Sequence, residues 1–142
     1  MTQTLTREQV LAMEPGRELD ELIITRVLGL QIVNHEEVTY DWVDSPENYP
    51  YVSRGSLSKT NLMKWLEPDE DGFIIEPSTD FSAAWEVVSV MRKKNWNFVA
   101  STEGEDWEAT FYWDANRTGF EAKGVGAPEA ICKAALLAVL DI

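Results

Sequence analysis

The clearest pattern of apolar and polar positions lies in the second half of the chain. Phe81, Ala84, Trp85, Val88 and Met91 recur at helical spacing, which predicts a helix over 81–94 with that stripe buried. Thr79 or Asp80 caps its start, and Arg92, Lys93 and Lys94 complement the helix dipole at its end. The period then switches to that of strands. Trp96, Phe98 and Ala100 share one face. Trp107, Ala109, Phe111 and Trp113 share another, opposite Glu108, Thr110 and Tyr112, and Phe120 and Ala122 alternate with Glu121 and Lys123. The connections, Thr102–Asp106 and Asp114–Gly119, are short enough for antiparallel hairpins. Pro128, a favoured first helical residue, opens a last helix to Leu140. Ile131, Ala134, Ala135 and Ala138 form one of its faces, and Cys132, Leu136, Val139 and Leu140 make the other apolar as well. A helix apolar on two sides is buried on two sides. It therefore meets the sheet and either the N-terminal helices or a second subunit.

The first half is less regular. Thr6 caps a short helix from Arg7 to Met13, with Gln9 as the reciprocal partner of a capping box. Pro15-Gly16 ends it. A second helix follows from Arg17 to Leu28, with Gly29 as its left-handed stop. Residues 31–76 form an elaborated loop and strand segment. Val38, Tyr40 and Trp42 alternate like a strand, Pro46 and Pro50 bound an ordered loop, Lys59–Leu66 reads as a helical turn, and Phe73-Ile74-Ile75 is extended. The fold class is α+β. We expect one domain over 1–142, with N-terminal helices at 7–30, the irregular insertion at 31–76 and an α-β-β-β-α scaffold at 77–142.

Composition narrows the function. The chain holds 25 acidic and 12 basic residues, a formal net charge of −13. Such a surface repels nucleic acid. Helix–strand–strand–strand–helix is also the order of double-stranded-RNA-binding domains, but Glu103, Glu105, Asp106 and Glu108 crowd the first hairpin, where phosphate contacts would need Lys or Arg. Cys132 is the single cysteine, so no internal disulfide forms, and it reads as a small core residue. No apolar run is long enough to span a membrane and no signal peptide is visible at the N-terminus, so the expected location is the cytoplasm.

Three stretches resemble the phage ABA-sandwich domain family. They are Pro77-Ser78-Thr79-Asp80 with Ala83-Ala84-Trp85-Glu86-Val87-Val88, the closing run Ala127-Pro128-Glu129-Ala130-Ile131-Cys132-Lys133-Ala134-Ala135-Leu136-Leu137, and the opening Met13-Glu14-Pro15-Gly16-Arg17-Glu18-Leu19-Asp20. The resemblance covers 7–30 and 77–141. It implies a small phage or prophage protein whose antiparallel sheet is flanked by helices. It carries no catalytic residues with it, since the matching positions are mostly small or apolar.

Candidate chemistry is sparse. Gly124-Val125-Gly126 leads into a helix N-terminus, where backbone N–H groups suit an anion, but it lacks the Lys-Ser/Thr of a P-loop and reads first as a tight turn. His35 is the only histidine, and with Glu36 and Glu37 it gives too few ligands for a stable metal site. No metal, cofactor or catalytic residue is expected. The aromatic residues of the C-terminal half (Trp85, Trp96, Trp107, Phe111, Trp113) fall at core-facing spacing. The irregular segment instead mixes aromatic planes with cations, in Trp42, Tyr49, Tyr51, Arg54, Lys59 and Trp65. Stacking plus a cation is the chemistry that holds a nucleotide. The expectation is a non-enzymatic phage accessory protein that counters host defence by sequestering a small nucleotide-derived immune signal. Those residues would stack the base, and Arg54, Lys59 or Arg117, with Gly124 and Gly126, would meet phosphate. A homo-oligomer would complete the pocket. The alternatives are an acidic inhibitor or DNA mimic acting on a host defence protein, and a minor virion component.

Overall fold

The computed structural model describes residues 5–30, 51–53, 72–113 and 119–142. Helix α1 (Arg7–Ala12) begins on the expected capping box: Gln9 N–H donates to Thr6 Oγ1 at 3.2 Å, and Thr6 N–H donates to Gln9 Oε1 at 2.9 Å. Helix α2 (Arg17–Leu22) passes into a π-helical turn, Ile23–Val27, in which Leu28 N–H reaches back to Ile23 O at 2.9 Å. The sequence predicts an uninterrupted α-helix here. The wider turn brings Leu28 round to the side on which Ile23, Ile24 and Val27 are buried. Gly29, with φ 69°, then ends the helix as expected.

Strand β1 (Tyr51–Ser53) pairs antiparallel with β2 (Gly72–Ile74), placing Val52 opposite Phe73. The Phe73-Ile74 piece is extended as expected, and Tyr51, which the sequence places only in the irregular segment 31–76, stands in a strand opposite Ile74. The strand, loop and helical-turn expectations at 31–50 and 54–71 lie outside the described residues.

Helix α3 (Phe81–Lys93) starts at Asp80, whose Oδ1 accepts the Ser82 N–H at 3.2 Å. Strands β3 (Asn97–Glu103), β4 (Asp106–Tyr112) and β5 (Gly119–Gly124) follow, and α4 (Ala127–Leu140) closes the fold. The three strands form one antiparallel sheet in the order β3-β4-β5. Glu103 pairs with Asp106 around Gly104, whose φ of 63° suits the two-residue hairpin. The architecture is α+β, an antiparallel sheet flanked by helices.

The pairing register stacks like residues in rows across the sheet. Phe98, Phe111 and Phe120 form one row, and Ala100, Ala109 and Ala122 the next. Helix α4 lies on β4 and β5, where Ala109 and Ala122 of this row are buried while Ala100 on β3 stays exposed. Helix α3 packs beside α4 and against β3. On its far side α4 is covered by α1 and the π turn. The N-terminal helices thus answer the second apolar face expected from sequence. The other side of the sheet presents Asn97, Ser101, Glu121 and Lys123 to solvent.

Every residue of α4 from Ala130 to Ala138 is buried, including Lys133. Lys133 Nζ lies 2.6 Å from Glu129 Oε2 and donates to Leu11 O at 3.1 Å. The ammonium therefore satisfies both a helical carboxylate and an end carbonyl of α1. Lys133→Ala should destabilise the protein by about 3–5 kcal/mol, because it leaves Glu129 buried without its counter-charge. The double change Glu129→Gln with Lys133→Met should recover much of that loss, as read from urea denaturation midpoints.

Candidate functional site

Helix α3 does not bury the stripe its spacing predicts. Ala84, Val88 and Met91 are inside, joined by Ala83 and Val87, but Phe81 is 57% exposed and Trp85 51%. Trp85 and Phe81 sit on one flank of the buried arc. The small Ala83 and Ala84 face inward and let α3 approach α4 closely, which turns the two large rings out. The rings stack, with centroids 6.2 Å apart and planes 10° from parallel. Trp85 also stands edge-on to Phe98, at 6.3 Å and 81°.

Beside Trp85 the surface hollows into an open groove of about 300 Å³, lined by Trp85, Val88 and Arg92 from α3 and by Asn97, Phe98 and Tyr112 from the sheet. This is at the lower end of the size of small-molecule sites, roughly 300 Å³ and upward. Trp85, Val88 and Arg92 reach it together because positions three and seven apart share a helix face. Asn97 and Tyr112 are cross-strand partners on the solvent side of the sheet, whereas Phe98 is on the helix side. The groove therefore wraps around the outer edge of β3, which is an edge strand among the described residues. Arg92 is exposed, and its guanidinium makes no ion pair among the described residues. An aromatic plane, a cation and an amide that both donates and accepts converge here.

Two other tryptophans also depart from the core. Trp107 is 37% exposed and Trp113 52%, because both stand near strand ends. Trp113 packs with Trp96 at 5.3 Å and with Phe120 at 6.1 Å. Phe111, by contrast, is fully buried as expected.

The turn before α4 holds an anion of its own. Val125 N–H donates to Glu129 Oε1 at 3.1 Å, so the first turn of the helix is answered by an internal carboxylate. A Cβ on Gly124 would lie 2.9 Å from Ala130 N and from the Glu129 side chain, so glycine is what lets strand and helix meet. Gly124 pairs with Trp107 and Gly119 with Tyr112, which places the Gly124–Gly126 turn and the aromatic groove at opposite ends of β4. On the solvent side of the sheet, a hydrogen bond with Glu108 raises the carboxyl pKa of Glu121, with partial burial adding to it. Trp42, Tyr49, Arg54, Lys59, Trp65 and Arg117 lie outside the described residues, and Tyr51 is placed by its backbone in β1. The sequence does not reveal the groove, because helical spacing places Trp85 in the core. The signal available was Ala83-Ala84 competing for the inner face while Trp85, Val88 and Arg92 aligned beside it.

The pattern of the phage ABA sandwich domain matches residues 21–136, most of the chain. The chain belongs to the phage ABA sandwich domain family. A crystal structure of a phage protein from Bacillus cereus ATCC 14579 has a similar fold, with a TM-score of 0.54 over 88% of this chain and 91% of that one at 17% sequence identity. No curated protein matches. Family membership thus accounts for the sheet and its flanking helices. Among the described residues no helix is long and apolar enough to cross a membrane.

Exposure separates the groove from the scaffold energetically. Trp85→Ala should change folding stability by no more than about 1 kcal/mol, while Phe111→Ala should cost about 3–5 kcal/mol through the cavity it leaves. Chemical denaturation of the two variants side by side checks this contrast.

Proposed function

We propose that this protein is a non-enzymatic phage accessory protein that counters host defence by binding and sequestering a small nucleotide-derived signal. The observation that carries the reading is the half-exposed Trp85 ring, which shares the lining of the groove with Arg92. A purine or pyrimidine stacks on such a ring for about 1–3 kcal/mol. A guanidinium binds phosphate through paired N–H donors. Asn97 supplies an amide able to meet the edge of a base. A net charge of −13 disfavours long polyanions more than a compact ligand with one or two phosphates, which supports a small molecule over a nucleic acid. Phage family membership supports the setting in which such a binder would act.

A second reading, an acidic inhibitor of a host protein, draws on the solvent side of the sheet, where Glu108 and Glu121 crowd closely enough to hydrogen-bond. The two readings differ in what the protein captures. A ligand binder carries a small molecule through purification, visible by native mass spectrometry, and an inhibitor retains a host protein in a salt-sensitive complex.

In a panel of cyclic nucleotides and cyclic ADP-ribose isomers, at least one compound should raise the melting temperature and be depleted from the filtrate by the protein. Trp85→Ala and Arg92→Ala should each weaken that binding by about ten- to a hundredfold without unfolding the chain. The absence of any thermal shift, with every ligand recovered free after filtration, sinks the proposal. Trp42→Ala and Trp65→Ala in the same assay test the segment expected from sequence to stack the base.

A further inference from the structure

Asp20 is only 2% exposed, and its Oδ1 accepts the Ser78 N–H at 2.7 Å. Ser78 is buried too, and its Oγ accepts the Gly16 N–H at 2.9 Å. These two bonds join the first turn of α2 to the turn preceding α3, across 58 and 62 residues of sequence. With the Lys133–Leu11 bond, they are polar contacts in a mostly apolar seam between the N-terminal helices and the rest of the core.

A carboxyl this deep is disfavoured in its charged form. The charges that act on it deepen the effect: Glu76, from the segment entering the turn, and Glu21, from its own helix, are both negative. From α4 it faces Cys132, a neutral thiol whose own pKa is raised by burial first and by Asp20 second. Burial pushes the Asp20 carboxyl up to about 6, against the opposing pull of the Ser78 hydrogen bonds.

We propose that the buried Asp20 carboxyl makes this seam a proton-controlled latch: the N-terminal helices stay fastened to the α3 turn when Asp20 is protonated, and the seam loosens as the carboxyl ionises, because the cost of burying the charge outweighs the stronger Ser78 bond. The sign follows from linkage. The folded carboxyl holds its proton more tightly than the unfolded one, so the stability it contributes is present at low pH and is lost as pH rises through about 6. The loss is local, because opening α1 and α2 alone is enough to hydrate Asp20. At neutral pH the N-terminal helices are then the first unit to open, and their departure uncovers the outer side of α4, which α1 and the π turn otherwise cover.

Hydrogen exchange of the full chain tests this. After correction for intrinsic exchange rates, protection of amides in α1, α2 and the π turn should fall about tenfold between pH 5 and pH 8, relative to amides of β4. In Asp20→Asn, which keeps the acceptor for Ser78 N–H and removes the charge, that ratio should stay constant. An equal fall in Asp20→Asn, or a constant ratio in the unaltered protein, overturns the latch. A second readout needs no variant: the carboxyl carbon resonance of Asp20 should titrate with a midpoint near 6, and a midpoint near that of free aspartate, about 4, overturns the proposal equally.

Discussion

Helix α4 has no face left for water between Ala130 and Ala138, and β4, β5, α3, α1 and the π turn all pack against it. An alanine-rich helix buries little area per residue, so it must come close to its neighbours to gain from packing. The buried Ala109 and Ala122 on β4 and β5 allow that approach on one side. Ala83 and Ala84 allow it from α3, and the π turn and α1 close the remaining side. The one charged residue between Ala130 and Ala138, Lys133, is tolerated because Glu129 and Leu11 O satisfy it. That same bonding fixes where α1 can lie, so a polar contact sets the position of a helix that apolar contact alone would leave free to slide.

The outward turn of Phe81 and Trp85 follows from the same constraint. With alanines needed at the inner positions of α3, the large rings move to its flank, where they border a groove instead of filling a core. The proposed recognition chemistry is thus a by-product of how the scaffold packs. Residues that face the groove from α3 are separable from those that hold the helix in place.

Much of this architecture was legible in the sequence, and the places where it was not share a cause. The capping box at Thr6 and Gln9, the Asp80 cap, the three strands and the doubly buried last helix are written in local pattern, which depends on residues within a few positions. Trp85, Trp107 and Trp113 were misjudged because hydrophobic spacing says which residues share a face. It does not say how far a covering element extends over that face. Strand β1 is three residues long and is stabilised by a partner at 72–74, distant in sequence, so no local alternation announces it. The Gly124–Gly126 turn was rightly located, but the carboxylate that answers it comes from the helix it begins, and sequence distance alone does not show that Glu129 folds back onto Val125 N–H. The aromatic and cationic residues expected between 42 and 65 and at 117 fall mostly outside the described residues, so the groove stands on a different set of side chains.

The π-helical turn at Ile23–Val27 has a bearing on how this chain tolerates length change. A helix that carries one residue more per turn is a stored insertion: deleting a single residue there would let the backbone relax to an ordinary α-helix. Such a deletion would leave Leu28 and Leu30 facing the core, whereas winding the same residues into an ordinary α-helix without a deletion would rotate them by roughly a quarter turn. Asp20 and Ser78, upstream and across the seam, would keep their places. The segment can therefore lose one residue without changing which side chains reach the far side of α4, but cannot gain one on the same terms.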